Sequence, residues 1–307
     1  MMKYVLTALL QVLLVGVSIG QQDSVVFAQA DWTVKKIARG VYLKQYWFNK
    51  SLFGSRQNIS ILEIKLNHRN RIDIAADSVH LQPTSQFGKD HDALAAINGT
   101  FFDMKNGGSV DYVRLDGKTL NATRLEKNNA RAMHQKAAII ASGHKVSIRQ
   151  WNGEAGWEDQ LAGEDVMVTG PLLLWNHQRV LLDTTSFYTH RHPRSAVAIK
   201  GKKVLLITVD GRNLKAAGMQ LSELASIAKW LKADACVNLD GGGSTTLWIQ
   251  QFPDGGVINY PSDNKKMEKS ALYKPGTDLD NLAADEQKWD HSGQRPVANV
   301  IVVNKKK

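Results

Sequence analysis

Several separated segments of this 307-residue chain end an apolar run in a polar cluster: INGTFFD at 97–103, HRHPRS at 190–195, TVDGR at 208–212, NLDGGGSTT at 238–246, NYPSD at 259–263 and QRPVAN at 294–299. If those ends converge, they assemble a kit for chemistry on an anionic, hydroxylated substrate. Asp240 and Asp210 supply carboxylates, and the ordinary pKa of a histidine suits His192 to proton transfer near neutrality. Arg194, Arg212 and Arg295 can grip phosphate oxygens two at a time. The N–H groups of Gly241, Gly242 and Gly243, with no side chains in the way, can approach the same oxygens closely. Asn98, Gly99, Thr100, Ser244 and Thr245 add donors and acceptors. Asp103, and equally Asp210 or Asp240, could supply oxygen ligands to a divalent cation, calcium or magnesium, though no EF-hand spacing supports it; no cofactor is otherwise required.

Taken singly, each feature has a plainer reading. Asp210-Gly211 and Asn98-Gly99 are turn dipeptides, and the glycine run fits a tight turn between strands. His192 and Arg295 beside prolines fit exposed loops. Familiar site patterns are excluded. The glycine run lacks the Gly-Lys-Ser/Thr of a nucleotide P-loop and the spacing of a dinucleotide site. Ser244 does not sit in a Gly-x-Ser-x-Gly elbow, and neither His-Glu-x-x-His nor a cysteine pair points to zinc.

INGTFF, HPRS, VDGR, NLDGGGSTT, NYPSD and RPVAN, in this order between about Ala95 and Val303, resemble the phosphodiester glycosidase family. The resemblance implies hydrolysis of the glycosyl C–O bond of a sugar-1-phosphodiester, releasing free sugar and a phosphomonoester, by an exported bacterial member. In that chemistry Asp240 is the first choice for nucleophile or water-activating base and Asp210 the second, with His192 as proton shuttle. Arginines and glycine N–H groups stabilise the leaving phosphate, while Asn98 and Thr245 hold sugar hydroxyls. Thr100, Ser195 and Ala198 depart from the family's pattern; a glycine is usual at Thr100. Two rival classes use the same residues: a metal-dependent phosphodiesterase cutting P–O, and a non-catalytic saccharide-binding envelope protein, for which eight tryptophans offer stacking surface.

The elements that must position these residues are mostly strands. Residues 33–80 alternate in the β manner, with a turn at Asn67 to Asn70. Hairpins are expected over 136–151 around Ser142-Gly143, over 166–182 near Asn176 to Gln178, and over 195–212 at Lys200-Gly201-Lys202. One helix is expected in SELASIAKWLKA, where Leu224, Ile227, Ala228 and Leu231 share a face and Ser222 is the candidate N-cap. A strand leads into Asp240; TTLWIQ and VANVIVV complete the sheets. Residues 262–294 read as a charged surface excursion with a short helix at LAADEQKW. The expected fold is α+β: a single mainly β domain with mixed sheets, few helices and a glycine-rich active-site loop.

Residues 1–20 read as a signal peptide, with Lys3, an apolar stretch over Tyr4 to Val17, and small residues Ser18 and Gly20 before a cut at Gln21. An alternative cut follows Ala30. The mature chain then comprises an N-terminal β segment over 21–94 and a core over 95–307, with no transmembrane segment after cleavage. The formal charge of +10, in an exported protein, suits an anionic glycan or sugar-phosphate rather than nucleic acid. The one cysteine, Cys236, sits in an apolar run and reads as a core residue.

Overall fold

The computed structural model describes residues 19–263 and 288–305. The expected signal segment up to residue 18 and most of the charged excursion lie outside them. Lys288 and Trp289, the end of the helix expected there, are not helical.

The described strands form sheets of eight, five, four and two. The largest runs in the order Thr33–Ala38, Val41–Leu52, Ser55–Lys65, Lys203–Val209, Arg194–Lys200, Ala235–Asn238, Leu172–Trp175, Gln178–Arg179. Its central strand KVLLITV is apolar from Val204 to Ile207 because both of its faces are covered. Val204 and Leu206 face the smaller sheets, where they meet Ile97, Ile139 and Ile301. Leu205, Ile207 and Val209 face the other way, onto Leu224, Ile227 and Ala228 of the helix Leu221–Trp230 and onto Phe27 of the helix Ile19–Gln29. Cys236 is fully buried on this helical side, where burial pushes its thiol up to about 12, so it is a core residue as expected.

The α+β reading holds, with three corrections. Every described pairing is antiparallel, where mixed sheets were expected. The helix does carry the chain between two strands that run the same way, but Arg194–Lys200 is inserted between them and pairs antiparallel with both. The apolar stretch over 166–182 is not one hairpin. Asp165–Thr169 joins the five-stranded sheet, and only Leu172–Trp175 pairs across the Asn176–His177 turn with Gln178–Arg179. Ser222 is not the N-cap. The helix begins at Leu221, and Glu223 caps it by accepting from the Gln220 N–H at 2.9 Å.

Antiparallel pairing puts the start of one strand beside the ends of its neighbours. Arg194 lies opposite Val209, and Ala196 opposite Asn238. In the four-stranded sheet, Ile97 lies opposite both Leu247 and Ile301. The polar clusters that cap these strands therefore share one edge of the molecule.

Candidate active site

Asn98 joins the two sheets. Its Nδ2 donates to the Asp240 carbonyl at 2.7 Å, and its Oδ1 accepts from Ser195 Oγ at 2.6 Å and from the Thr246 N–H at 3.1 Å. It is fully buried with both ends of its amide engaged, so it positions the glycine loop. Gly99 is pressed against Asn299, where a Cβ would overlap that side chain. Its carbonyl accepts from the Asp240 N–H at 3.0 Å.

Asp240 follows the strand Ala235–Asn238, walled in by protein but still partly open to the cleft. Burial pushes its carboxyl up to about 6, against the pull of Ser244, Arg295, the Gly241 N–H and His134. Oδ1 accepts from that N–H at 2.9 Å. Ser244 stands beside the carboxylate, yet its hydroxyl meets no acceptor in bonding geometry. The same is true of Thr245 Oγ1 and Thr246 Oγ1, so three consecutive buried hydroxyls have no hydrogen-bond partner among the described residues. Buried hydroxyls are rarely left so; these three lie in the closed interior of the loop, at 1% exposure or less.

The glycine N–H groups are less available than expected. That of Gly241 serves Asp240, and that of Gly242 donates to the Pro193 carbonyl at 2.9 Å. Only the Gly243 N–H has no partner among the described residues. Glycine is required here for other reasons. Gly242 has φ +61, and a Cβ would come within 3.0 Å of the Arg212 guanidinium; at Gly243 a Cβ would overlap the Asp263 carboxylate. The loop is bare so that a cation and an anion can lie on it.

The arginines divide by role. Arg212 lies over Gly242 with Nη2 3.4 Å from His192 Nδ1. Arg295 donates from Nε to Asp263 Oδ2 at 2.6 Å, and its charge reaches Asp240. Arg194, expected on phosphate, is 2% exposed and bonds backbone carbonyls: Nε to Met219 at 2.9 Å, Nη2 to Phe187 at 2.7 Å and to His190 at 3.1 Å. It ties together the chain on either side of the cleft.

His192 and Asp210 also change roles. Burial, then the charges of Arg194 and Arg212, hold His192 down to about 3. Those influences favour the neutral ring, whose Nδ1 accepts from Arg212. Asp210 is 1% exposed, with Oδ2 accepting from Asn58 at 2.8 Å and Oδ1 from Asn259 Nδ2 at 3.1 Å and the Tyr260 N–H at 2.9 Å. Burial pushes it up to about 6 as well, but it is enclosed, and a nucleophile needs an approach. Asp103 is drawn into its own loop by the side-chain amide and the N–H of Asn106, by the N–H of Lys105 and by Arg124. Those bonds hold its carboxyl well below the usual range. Among the described residues no three metal-ligating side chains converge.

Sequence reasoning missed a histidine. His134 Nδ1 lies 3.0 Å from Asp111 Oδ2, and Asp111 is fully buried, also accepting from Thr100 Oγ1 at 2.8 Å and Gln135 Nε2 at 3.0 Å. A carboxylate at Nδ1 fixes the tautomer and leaves Nε2 for other work. The ring is 28% exposed, packs 4.4 Å from Phe101, and acts electrostatically on Asp240. Thr100, where a glycine is usual, thus supplies a hydroxyl that holds Asp111. Only an acid and a histidine 23 positions apart hinted at the pair.

Compared with known proteins, the chain matches solved structures at the level of fold. The catalytic domain of zebrafish N-acetylglucosamine-1-phosphodiester alpha-N-acetylglucosaminidase, auto-inhibited by its pro-peptide, superposes with a TM-score of 0.59 at 18% identity, over 90% of this chain and 84% of that one. A Synechocystis protein gives 0.59 at 15% identity over 90% of this chain, which spans 64% of the length of that protein. No curated protein sequence matches. The family model for phosphodiester glycosidases covers residues 91–304, and with the glycine loop, the open Asp240 and the arginines all inside that span, the chain belongs to the phosphodiester glycosidase family.

Proposed function

We propose that the protein hydrolyses the glycosyl C–O bond of a sugar-1-phosphodiester on an envelope or extracellular glycan, after export. The observation that carries this reading is Asp240: a partly exposed carboxylate on the glycine loop, with Ser244 beside it and the charges of Arg295 and His134 within reach. The leaving group is a phosphate monoester, which needs charge stabilisation more than protonation. Arg212, Arg295 and the Gly243 N–H supply it, at roughly 2 to 4 kcal/mol for each well-placed donor. His134, oriented by Asp111, exchanges a proton at Nε2 with the water or the departing oxygen. Asp240 acts at the anomeric carbon, either by attack or by activating water. NMR of the first-formed anomer separates the two, since attack retains configuration and water activation inverts it.

The test is product analysis in 18O-water on the methyl phosphodiester of N-acetylglucosamine. Labelled free sugar plus methyl phosphate is expected. Sugar-1-phosphate plus methanol, lost on EDTA treatment and restored by a divalent ion, would establish the phosphodiesterase instead. Binding without turnover would establish the saccharide-binding reading.

A further inference from the structure

Two segments bring charge to the glycine loop, and each is clamped before it arrives there. Asn259 Oδ1 accepts from the Leu247 N–H at 2.8 Å, and its Nδ2 donates to the Thr245 carbonyl at 2.9 Å. These bonds lay the NYPSD segment along the loop and set Asp263 at its far end. On the other side, Gln294 Oε1 accepts from the Ser85 N–H at 3.1 Å, and its Nε2 donates to Ser85 Oγ at 3.0 Å. Pro296 pairs with Pro83, so the backbone on both sides of Arg295 is held at the start of the helix Thr84–Asp90. The two segments meet at Gly243, over which the Asp263 carboxylate lies, and there Arg295 Nε donates to Asp263 Oδ2 at 2.6 Å. That bond uses one of the five N–H groups of the guanidinium. The other four have no partner among the described residues.

Arg295 has two carboxylates within its field. Asp240 stands on the same loop, feels the charges of Arg295 and His134, and makes no ion pair among the described residues. Arg212, the other cation on the loop, lies over Gly242 with its Nη2 turned to His192. A guanidinium grips a carboxylate best through two parallel N–H bonds. Such a pair on Asp240 would neutralise the group that works at the anomeric carbon and use up the donors meant for the leaving phosphate. Asp263 competes for the cation and takes it at Nε, the root of the guanidinium. We propose that Asp263 is a positioning residue: it holds Arg295 by Nε, keeps the guanidinium from closing on Asp240, and leaves the outer N–H groups to the oxygens of a phosphate-class anion. The part played by that anion rests on the glycosidase reading; the competition between the two carboxylates does not.

Carboxyl 13C NMR titration of Asp240 in the full mature chain tests this, with Asp240→Asn assigning the resonance. In Asp263→Asn, Arg295 is expected to close on Asp240 and lower its pKa by about 1 to 3 units, the effect of a cation in bonding contact. Asp263→Ser, smaller at the same site, is expected to give the same fall. Loss of the Asp263 charge by itself also lowers that pKa, so each substitution is repeated in an Arg295→Gln background, where no comparable fall is expected. An Asp240 pKa that ignores Asp263, or that falls equally in both backgrounds, would overturn the proposal. Turnover of the methyl phosphodiester of N-acetylglucosamine reads the same event. Asp263→Asn should move the acid limb of the kcat profile to lower pH and raise KM on the order of tenfold, as a charge-assisted bond to the phosphate is lost. A lower melting temperature with the acid limb in place would mark Asp263 as merely structural. No turnover by the unsubstituted protein sinks the glycosidase reading alone, and normal turnover with a titration blind to Asp263 sinks the positioning role alone.

Discussion

Asp240 and Asp210 are both pushed up to about 6 by burial, yet their partners assign them different work. Asp240 spends one oxygen on the Gly241 N–H and remains partly exposed. Asp240→Asn preserves that bond and removes a poorly solvated charge, so turnover should vanish while the melting temperature at pH 7 holds or rises. A large fall in melting temperature would mark Asp240 as structural. Asp210 receives donors on both oxygens. Asp210→Asn turns an NH2 group on one of them, and should cost about 1 to 3 kcal/mol in urea unfolding. The pH dependence has two signs in one window. Activity that needs ionised Asp240 should fall as pH drops through about 6. The same raised pKa values favour the folded state below the unfolded value of 3.8, and that contribution is lost as pH rises toward 6. For enclosed Asp210 this is roughly 3 kcal/mol at 1.36 per unit. A kcat profile flat between pH 5 and 7 would remove Asp240 from the chemistry. Arg194→Lys, which keeps the charge but cannot span three carbonyls, should lower thermal stability, with kcat of the folded fraction changing less than tenfold.

At the scale of elements, alternation and turn dipeptides made the hairpins at Ser142-Gly143 and Gly201-Lys202 legible, because side-chain period and turn chemistry are local. The partition of 166–182 between two sheets was not, since Asp165–Thr169 and Leu172–Trp175 are equally apolar and only their partners distinguish them. Strand ends flagged the site, but which donors remain available depends on bonds between segments distant in sequence. Asn98 to Asp240 and Asn58 to Asp210 are of this kind. Asp111 and His134 offer no more than an acid and a histidine 23 positions apart; their meeting is a product of packing. The glycine loop offers a test at this scale. Gly242→Ala places a methyl on a φ of +61 and against Arg212, so strain should cost about 1 to 2 kcal/mol. Displacement of the guanidinium should lower kcat/KM on the order of a hundredfold. If Gly242→Ala keeps full activity, Arg212 does not hold the phosphate.

The whole molecule is a large sheet covered by smaller sheets on one face and by helices on the other, and the helix Ile19–Gln29 belongs to that second cover. Phe27 is buried against Trp230 at 5.7 Å, Trp32 at 5.3 Å and Phe48 at 6.3 Å, while Asp23 Oδ1 accepts from the Phe53 N–H at 2.9 Å. This bears on the proposed export. A cut before Gln21 leaves Asp23 and Phe27 in the mature chain; a cut after Ala30 strips both and uncovers Phe48 and Trp230. Loss of a buried phenylalanine costs about 3 to 5 kcal/mol, which for a domain of this size lowers the melting temperature by on the order of 10 °C. A chain beginning at Asp31 should therefore melt well below one beginning at Gln21, and N-terminal sequencing of protein recovered from its native envelope should read Gln-Gln-Asp-Ser. A native start at Asp31, with no thermal cost relative to the longer chain, would show that this helix is part of the leader and that the sheet is closed by other means.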